Sequence, residues 1–415
     1  MKNADSPKIT NGTVIAAMDI SKDSFTGYLR CTPTGIERAV RRYAMTEVDL
    51  HRFYAEASEF MQKHGCSRIT LGFESTGIYH LPAMHYFRHK PVEMLQVNTL
   101  HVKRMKDITG NSPAKTDEKD PKVIADLIEL RRGMQVVIPT GLFLAMRTTI
   151  HARERVIEHH SAITNQVCDL IHVLFPEFHR FFKDIHGKTA RMLLRECMLP
   201  QQVVMLGVGK VASMMFASSR GRYGYDHARK FFEIAQSSLG VTDGVEQYID
   251  EIRTLLSFCE MLEKTIRRYE ERLVALVRQT TVGRILLSLK GIGPISVATV
   301  LGEYNGFEKF VTIADVLKYA GMDLTERSSG KKKGKRHLSK RGRPLLRKIL
   351  YLAALNLVRE GCAFHARYQA YLNKGKPKMV ALIAIARKVL RTIFGMSKTM
   401  TEFRTNMDQQ YSKAA

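Results

Sequence analysis

The sequence predicts a chain of two structural classes, an α/β layered domain followed by an all-α remainder. Three observations carry that reading. Up to about residue 138 strand and helix signals alternate. From Thr140 to Leu174, and again from 245 to 276, apolar residues recur at helical spacing. From 283 onward, apolar helical stretches are separated by Gly, Pro and basic segments. At 415 residues the chain is too long for one ordinary core. The expected divisions are 1–138, 139–282 and 283–415.

In the first region TVIAAMDIS reads as a buried strand, SFTGYLR as its hairpin partner and ERAVRRYAM as a third strand of the same sheet. Thr46 caps a helix through VDLHRFYAEASEFMQKHG that Gly65 stops. SRITLGFES makes a fourth strand, a helix follows from about Pro82, and PVEMLQVN makes a fifth strand. A basic helix and the polar connector GNSPAKTDEKDP complete a mixed sheet covered by helices.

The second region is helical. Its clearest stripe is Val245, Tyr248, Ile252, Leu255, Cys259, Leu262, Ile266, Tyr269, Leu273 and Leu276, stepping by three and four with charged residues between. Two such helices around a shorter insert predict an antiparallel coiled-coil hairpin, or a helix pair packed on its own domain. The third region opens with LLSLKGIGPISVATVLGEYNGF, in which one helix ends at Gly291 and another begins after Pro294. Gly291 and Gly293 in GIG fit a helix-hairpin-helix element, whose glycines let backbone N–H groups approach a DNA phosphate. Helices through TIADVLKYAGM, LLRKILYLAALNLVRE and KMVALIAIARKVLRTIFGM follow.

Lys and Arg exceed Asp and Glu by 65 to 40, a formal charge of +25, with an isoelectric point near 9.8. Such an excess calls for a polyanionic partner, with nucleic acid first. A membrane partner is not expected: the N-terminus is polar, and apolar runs such as MVALIAIARKVL are soon cut by a charge. Six cysteines without a CxxC pair point to a reducing compartment and away from structural zinc. His159 and His160 have no acidic or cysteine neighbour at ligand spacing and read as exposed helix residues.

Asp19 stands in the middle of an apolar strand, and Glu74 at the end of the fourth. Strand interiors seldom hold unpaired carboxylates. If those strands are neighbours, the two converge, and Asp117 and Asp120 in KTDEKDPKV start a helix that packs at that edge. Four oxygen donors there suit a hard divalent cation such as Mg²⁺ or Mn²⁺ acting on a phosphate. Asp120 is also readable as a cap before Pro121, and Asp117 as a solvated loop charge. The order of the four acids matches the RNase H-like layout of nucleases and integrases.

ERSSGKKKGKRHLSKRGRP is the second feature. From Arg327 to Lys348 lie eleven basic residues (Arg327, Lys331, Lys332, Lys333, Lys335, Arg336, Lys340, Arg341, Arg343, Arg347, Lys348) and no acidic one. These can hold a phosphodiester and neutralise its transition state, the help a serine hydroxyl needs to act as a nucleophile. Ser339 reads as a phosphate contact, and His337 as a second one.

MDISKDSF, GFESTGIYH and KTDEKDPKVIADL resemble the RuvC-like Asp-Glu-Asp-Asp domain of the IS110 family of transposases. LKGIGPISVATVLGEYNGFEKF and YAGMDLTERSSGKKKGKRHLSKRGRPLLRKILYLAA resemble that family's second domain. The resemblance implies a DNA transposase or recombinase working through a serine–phosphodiester intermediate, guided by a structured noncoding bridge RNA. It implies Asp19, Glu74, Asp117 and Asp120 as metal-binding carboxylates and Ser329 as nucleophile, with Ser328 its rival. The partners implied are double-stranded DNA at element ends and target, and the guide RNA. Strand exchange at two duplexes implies a homo-oligomer, a dimer or tetramer joined by the heptad arms, in a bacterial or archaeal cytoplasm at the nucleoid. The competing functions are a Holliday-junction-type metal-dependent nuclease, a site-specific DNA invertase and a non-catalytic nucleic-acid-binding scaffold. About 185–244 and the tail after 400 carry no motif.

Overall fold

The computed structural model describes residues 12–32, 34–74, 77–109, 119–326, 334 and 336–404. The chain forms two compact units, Met1–Ile138 and Pro139–Ala415.

The first unit is built on strands β1 (Thr13–Ile20), β2 (Ser24–Thr32), β3 (Glu37–Ala44), β4 (Arg68–Glu74), β5 (Val92–Val97) and the short β6 (Met134–Gln135). Their order is β3-β2-β1-β4-β5-β6. β1 pairs antiparallel with β2 and parallel with β4, β4 is parallel to β5, and β6 returns antiparallel to β5. Helices α1 (Glu47–Lys63), α2 (His80–Phe87), α3 (Thr99–Thr109) and α4 (Lys119–Glu129) cover it. Thr46 caps α1, its side chain accepting from the Asp49 N–H. The two-residue strand β6 was not anticipated, being shorter than any alternation pattern can reveal.

Both faces of β1 are buried, which is why it reads as a nearly unbroken apolar run. Strand periodicity sorts its side chains. Val14, Ala16 and Met18 join a core with Leu50, Phe53, Ala57 and Phe60 of α1 and with α2. Ile15 and Ala17 join a second core with Val102 of α3 and Val123, Ile124, Leu127 and Ile128 of α4. Gly72 of β4 lies under α4, and a Cβ built there would stand 1.8 Å from Ile128 Cδ1. A missing side chain thus sets how closely α4 approaches the sheet.

In the second unit α5 (Gly141–Leu174) and α10 (Val245–Gln279) run antiparallel along each other. Arg153 pairs with Glu270 at 2.6 Å, and Arg191 and His160 both meet Glu263 further along. Between them α6 (Phe178–Phe181), α7 (Lys188–Glu196), α8 (Pro200–Ser219) and α9 (Tyr225–Gln236) share a core of Phe175, Phe178, Phe182 and Phe231 with Ile171, Leu174, Ile252 and Leu256 of the long helices. α8 is, among the described residues, the one helix long and apolar enough to cross a membrane. Lys210 interrupts its apolar run. It is broken at Gly207 (φ 72°, ψ 157°), and Val203, Val211 and Met215 are buried in the insert's core.

The remainder is α11 (Thr281–Leu287), α12 (Pro294–Tyr304), α13 (Ile313–Ala320), the hairpin β7 (Leu324–Glu326) and β8 (Arg336–Leu338), then α14 (Pro344–Leu357), α15 (His365–Asn373) and α16 (Lys378–Thr399). α12 packs on α5 and α10, and α14 on α16. The hairpin and α15 are additions to the expected helices. α15 buries none of its residues, so it leaves no apolar stripe in the sequence.

His159 is exposed as expected, but His160 is half-buried in a network whose partners come from other elements. His160 meets Glu263 of α10 at 3.3 Å. Arg191 of α7 donates to Glu263 and, at 2.7 Å, to His186 Nδ1. Since arginine only donates, that nitrogen accepts, and the neutral His186 ring keeps its proton on Nε2, 2.9 Å from Thr164 Oγ1. His160, His186 and Glu263 offer three ligand atoms within 4.8 Å of one another. Arg191 already occupies the carboxylate and one ring nitrogen, so the network closes without a metal.

Gly72→Val should push α4 off the sheet and lower stability by about 1–3 kcal/mol, read from the urea midpoint of the full chain. A second prediction concerns pH. Burial, then the neighbouring Arg191 and His160, holds His186 below its ordinary value of 6.5. The unfolded chain therefore binds more protons than the folded one once pH falls below about 6.5, and stability drops on acidification. Between pH 7.5 and 5.5 the melting temperature of His186→Gln should fall less steeply than that of the unaltered protein.

Candidate active site

Strand periodicity puts Asp19 on the same face of β1 as Ile15 and Ala17, and Glu74 on the same face of β4 as Gly72. Met18 pairs with Phe73 in the parallel register, so Asp19 and Glu74 are neighbours one step further on, at the carboxyl ends of adjacent strands. That face is the one α3 and α4 cover. Asp120 lies in the first turn of α4, which Pro121 helps to start. Burial pushes the Glu74 carboxyl above its usual value, Lys106 draws it down, and the charges of Asp19 and Asp120 push it up again, leaving it raised. The three acids therefore feel one another. Asp117 lies outside the described residues.

Sequence reasoning missed Lys106. Its Nζ stands 2.6 Å from Asp120 Oδ2, delivered by α3, whose Val102 is anchored in the core one turn earlier. Nothing in TLHVKRMKDIT distinguishes it from a solvated lysine, because its partner arrives from α4. Hard oxygen donors with an excess of negative charge, buried enough for one carboxyl to resist ionising, fit a divalent cation. Asp19, Glu74 and Asp120 are the described residues that would hold it.

The helical unit carries the cationic segment. Ser328, Ser329, Arg327, Lys331, Lys332, Lys333 and Lys335 lie outside the described residues. Glu326 faces Arg336 across the hairpin, with an ion pair of 2.8 Å. Below it residues 339–343 bond back to 319–323: Ser339 N–H to Asp323 O, Lys340 N–H to Gly321 O and Arg343 N–H to Tyr319 O. Gly342 sits so close that a Cβ would stand 2.3 Å from the Gly321 nitrogen.

Ser339, expected to touch phosphate, donates to the Asp323 carboxylate in this structure. Arg343 and Arg347 also have partners within the chain. Arg347 donates to Ala320 O and Gly342 O at 3.1 and 3.0 Å. Arg343 lies over the Tyr319 ring, 5.5 Å from its centroid, and 3.8 Å from Glu303. Glu303, 1% exposed, also meets His151 at 2.7 Å and Arg147 at 3.6 Å. Burial pushes its carboxyl up, but the His151 hydrogen bond and the two arginines more than reverse that, and it stays below the usual range. His151 lies 152 residues away in sequence, and Arg147 and Arg343 are also far from it along the chain, hence the missed signal; a carboxylate in the apolar VATVLGEY was the available clue. Arg336, Lys340, Arg341 and His337 are exposed. His337 and Arg341 line, with Thr325 and Ser339, a hollow of about 580 Å³. Gly291 has φ +102°, and Gly293 precedes α12.

Residues 16–176 match the family model DEDD_Tnp_IS110, described as a transposase, and 283–369 match that of the transposase IS116/IS110/IS902 family, more than half the chain between them. The protein is a transposase. It is 23% identical over 286 residues to the 44.8 kDa protein of insertion element IS116 of Streptomyces clavuligerus, covering 68% of this chain and 71% of that one. It is 22% identical to the 43.6 kDa protein of IS110 of Streptomyces coelicolor, covering 76% and 78%. A mini-circle protein of the latter organism, named as a transposase for IS117, is 27% identical over 58% of this chain and 60% of its own. The chain belongs to the IS110 family of transposases.

Removing one donor tests the carboxylate cluster. Asp19→Asn in the full chain should weaken Mn²⁺ binding about tenfold or more, measured by titration calorimetry, with the circular dichroism spectrum unchanged.

Proposed function

We propose that the protein cuts and rejoins the DNA of its own insertion element through a covalent serine–phosphodiester intermediate, guided by a structured noncoding RNA. The observation that carries this reading is the pairing of two sites in one chain: converging Asp19, Glu74 and Asp120 in the α/β unit, and a hairpin-mounted cationic segment bearing Ser328 and Ser329 in the helical unit. The strand order and the carboxylates at the ends of β1 and β4 support a RuvC-like member of the RNase H-like fold, with Asp117 as the fourth carboxylate. Mg²⁺ or Mn²⁺ held there would polarise the scissile phosphate and stabilise the leaving oxygen.

The serine Oγ, Ser329 first and Ser328 second, attacks phosphorus as one P–O ester bond breaks, and the departing sugar oxygen takes up the proton. Rejoining reverses these steps on a new strand. Arg336, Lys340 and Arg341, with the lysines of 331–335, hold the phosphodiester and spread its developing charge. Glu303, Arg343 and Arg347 keep the mount in place. The glycines of Gly291–Gly293, between α11 and α12, approach a further backbone phosphate in the manner of a helix-hairpin-helix element.

The heptad reading of α5 and α10 makes them a coiled-coil arm. Much of the stripe of α10 (Ile252, Cys259, Leu273) is already buried within the chain, so subunits meet through the outer side of the arm, where Phe258 and Met261 are exposed. A dimer or tetramer of this kind exchanges strands between two duplexes in the cytoplasm, at the nucleoid.

Incubation with element-end DNA and Mg²⁺ followed by denaturation should yield a protein–DNA adduct that Ser329→Ala abolishes. Persistence in Ser329→Ala with loss in Ser328→Ala would move the nucleophile by one residue. Cleavage with no adduct would leave a metal-dependent nuclease or invertase of other chemistry, and binding without cleavage a scaffold. Sequencing the RNA that copurifies should recover one structured noncoding species.

A further inference from the structure

The carboxylate cluster contains a cation of its own. Lys106 ends on Asp120 at 2.6 Å, with the lysine side chain 36% exposed and the carboxylate 21%. The same ammonium acts on Glu74, against the push of Asp19 and Asp120. Lys106 is no freely swinging surface lysine. It lies one turn beyond buried Val102, and Met105 beside it packs into the same core as α4. Three carboxylates gathered on one face of a sheet repel each other unless a positive charge sits among them. A divalent ion and the ammonium compete for that position, since both need the oxygens of Asp120 and the field of Glu74.

We infer that Lys106 is a resident counter-cation of the acidic cluster, holding Asp120 in register in the absence of a divalent ion and giving way when one binds. The inference rests on the reading of Asp19, Glu74 and Asp120 as a divalent-cation site, and makes Lys106 a positioning residue that sets how tightly the ion is held. Its exposed side gives the ammonium a path outward to solvent. The chain would thus keep its cluster assembled without metal while binding the metal more weakly than three carboxylates alone would.

The test uses the full chain, unaltered and as Lys106→Met, Lys106→Gln and Asp19→Asn, with melting temperature measured in EDTA and in Mn²⁺, and Mn²⁺ affinity measured by calorimetry. Without metal, both Lys106 variants should melt below the unaltered protein. With Mn²⁺, both should bind roughly fivefold or more tightly and gain more in melting temperature. Use of two replacements separates lost charge from lost packing, because methionine keeps the apolar stem. If Mn²⁺ binds the unaltered protein, is lost in Asp19→Asn, and binds the Lys106 variants equally or more weakly, the counter-cation role is wrong and the metal site stands. If Mn²⁺ shows no Asp19-dependent binding, the metal site fails and the inference fails with it.

Discussion

Like charges brought together at the end of a sheet need a positive charge among them, and the first unit is organised around that need. Parallel pairing of β1 with β4 places Asp19 and Glu74 side by side, and a period of two sends both to the same face. Neither strand can escape the arrangement without turning its apolar residues out of the core. Everything that covers the face then serves the acids. Gly72 admits α4, α4 carries Asp120, and α3 carries Lys106. Burial first, and then the charges of Asp19 and Asp120 that Lys106 does not offset, keep the Glu74 carboxyl raised.

Much of this was open to reading in the sequence, because Asp19 breaks an apolar strand and such breaks are rare without cause. The sheet strands and long helices were legible for a related reason: each buries a continuous face, and burial writes a period into the chain. What escaped notice has no period. β6 is two residues long, α15 buries nothing, and the hairpin at 324–338 is held by backbone bonds that any residues could make. Lys106, His160 and Glu303 escaped differently. The first two look ordinary beside their chain neighbours, Glu303 stands out only as a carboxylate in an apolar run, and each gains meaning from partners elsewhere in the chain, Asp120 for the first, Glu263 for the second, and His151 with two arginines for the third.

The cationic segment likewise divides by position. A count of eleven basic residues treats them as alike, whereas the structure separates, among the described ones, those tied into the chain from those that face water. Arg343 and Arg347 are tied to Glu303, Tyr319 and main-chain carbonyls. Arg336, Lys340 and Arg341 face water. A guanidinium suits the first task because it donates in several directions at once and stacks on a ring. The internal arginines contribute rigidity and the external cations contribute field, a division that total charge conceals.

The contact between Gly321 and Gly342 has a consequence for how this segment can vary. Two main chains pass so closely there that neither position admits a side chain, and the bonds of 319–323 to 339–343 are independent of what residues 327–335 contain. Anchorage and cargo are thereby separated. The main-chain bonds at the foot keep Glu326 and Arg336 opposed, so the register of the hairpin is set by backbone geometry and by two glycines rather than by the charges it carries.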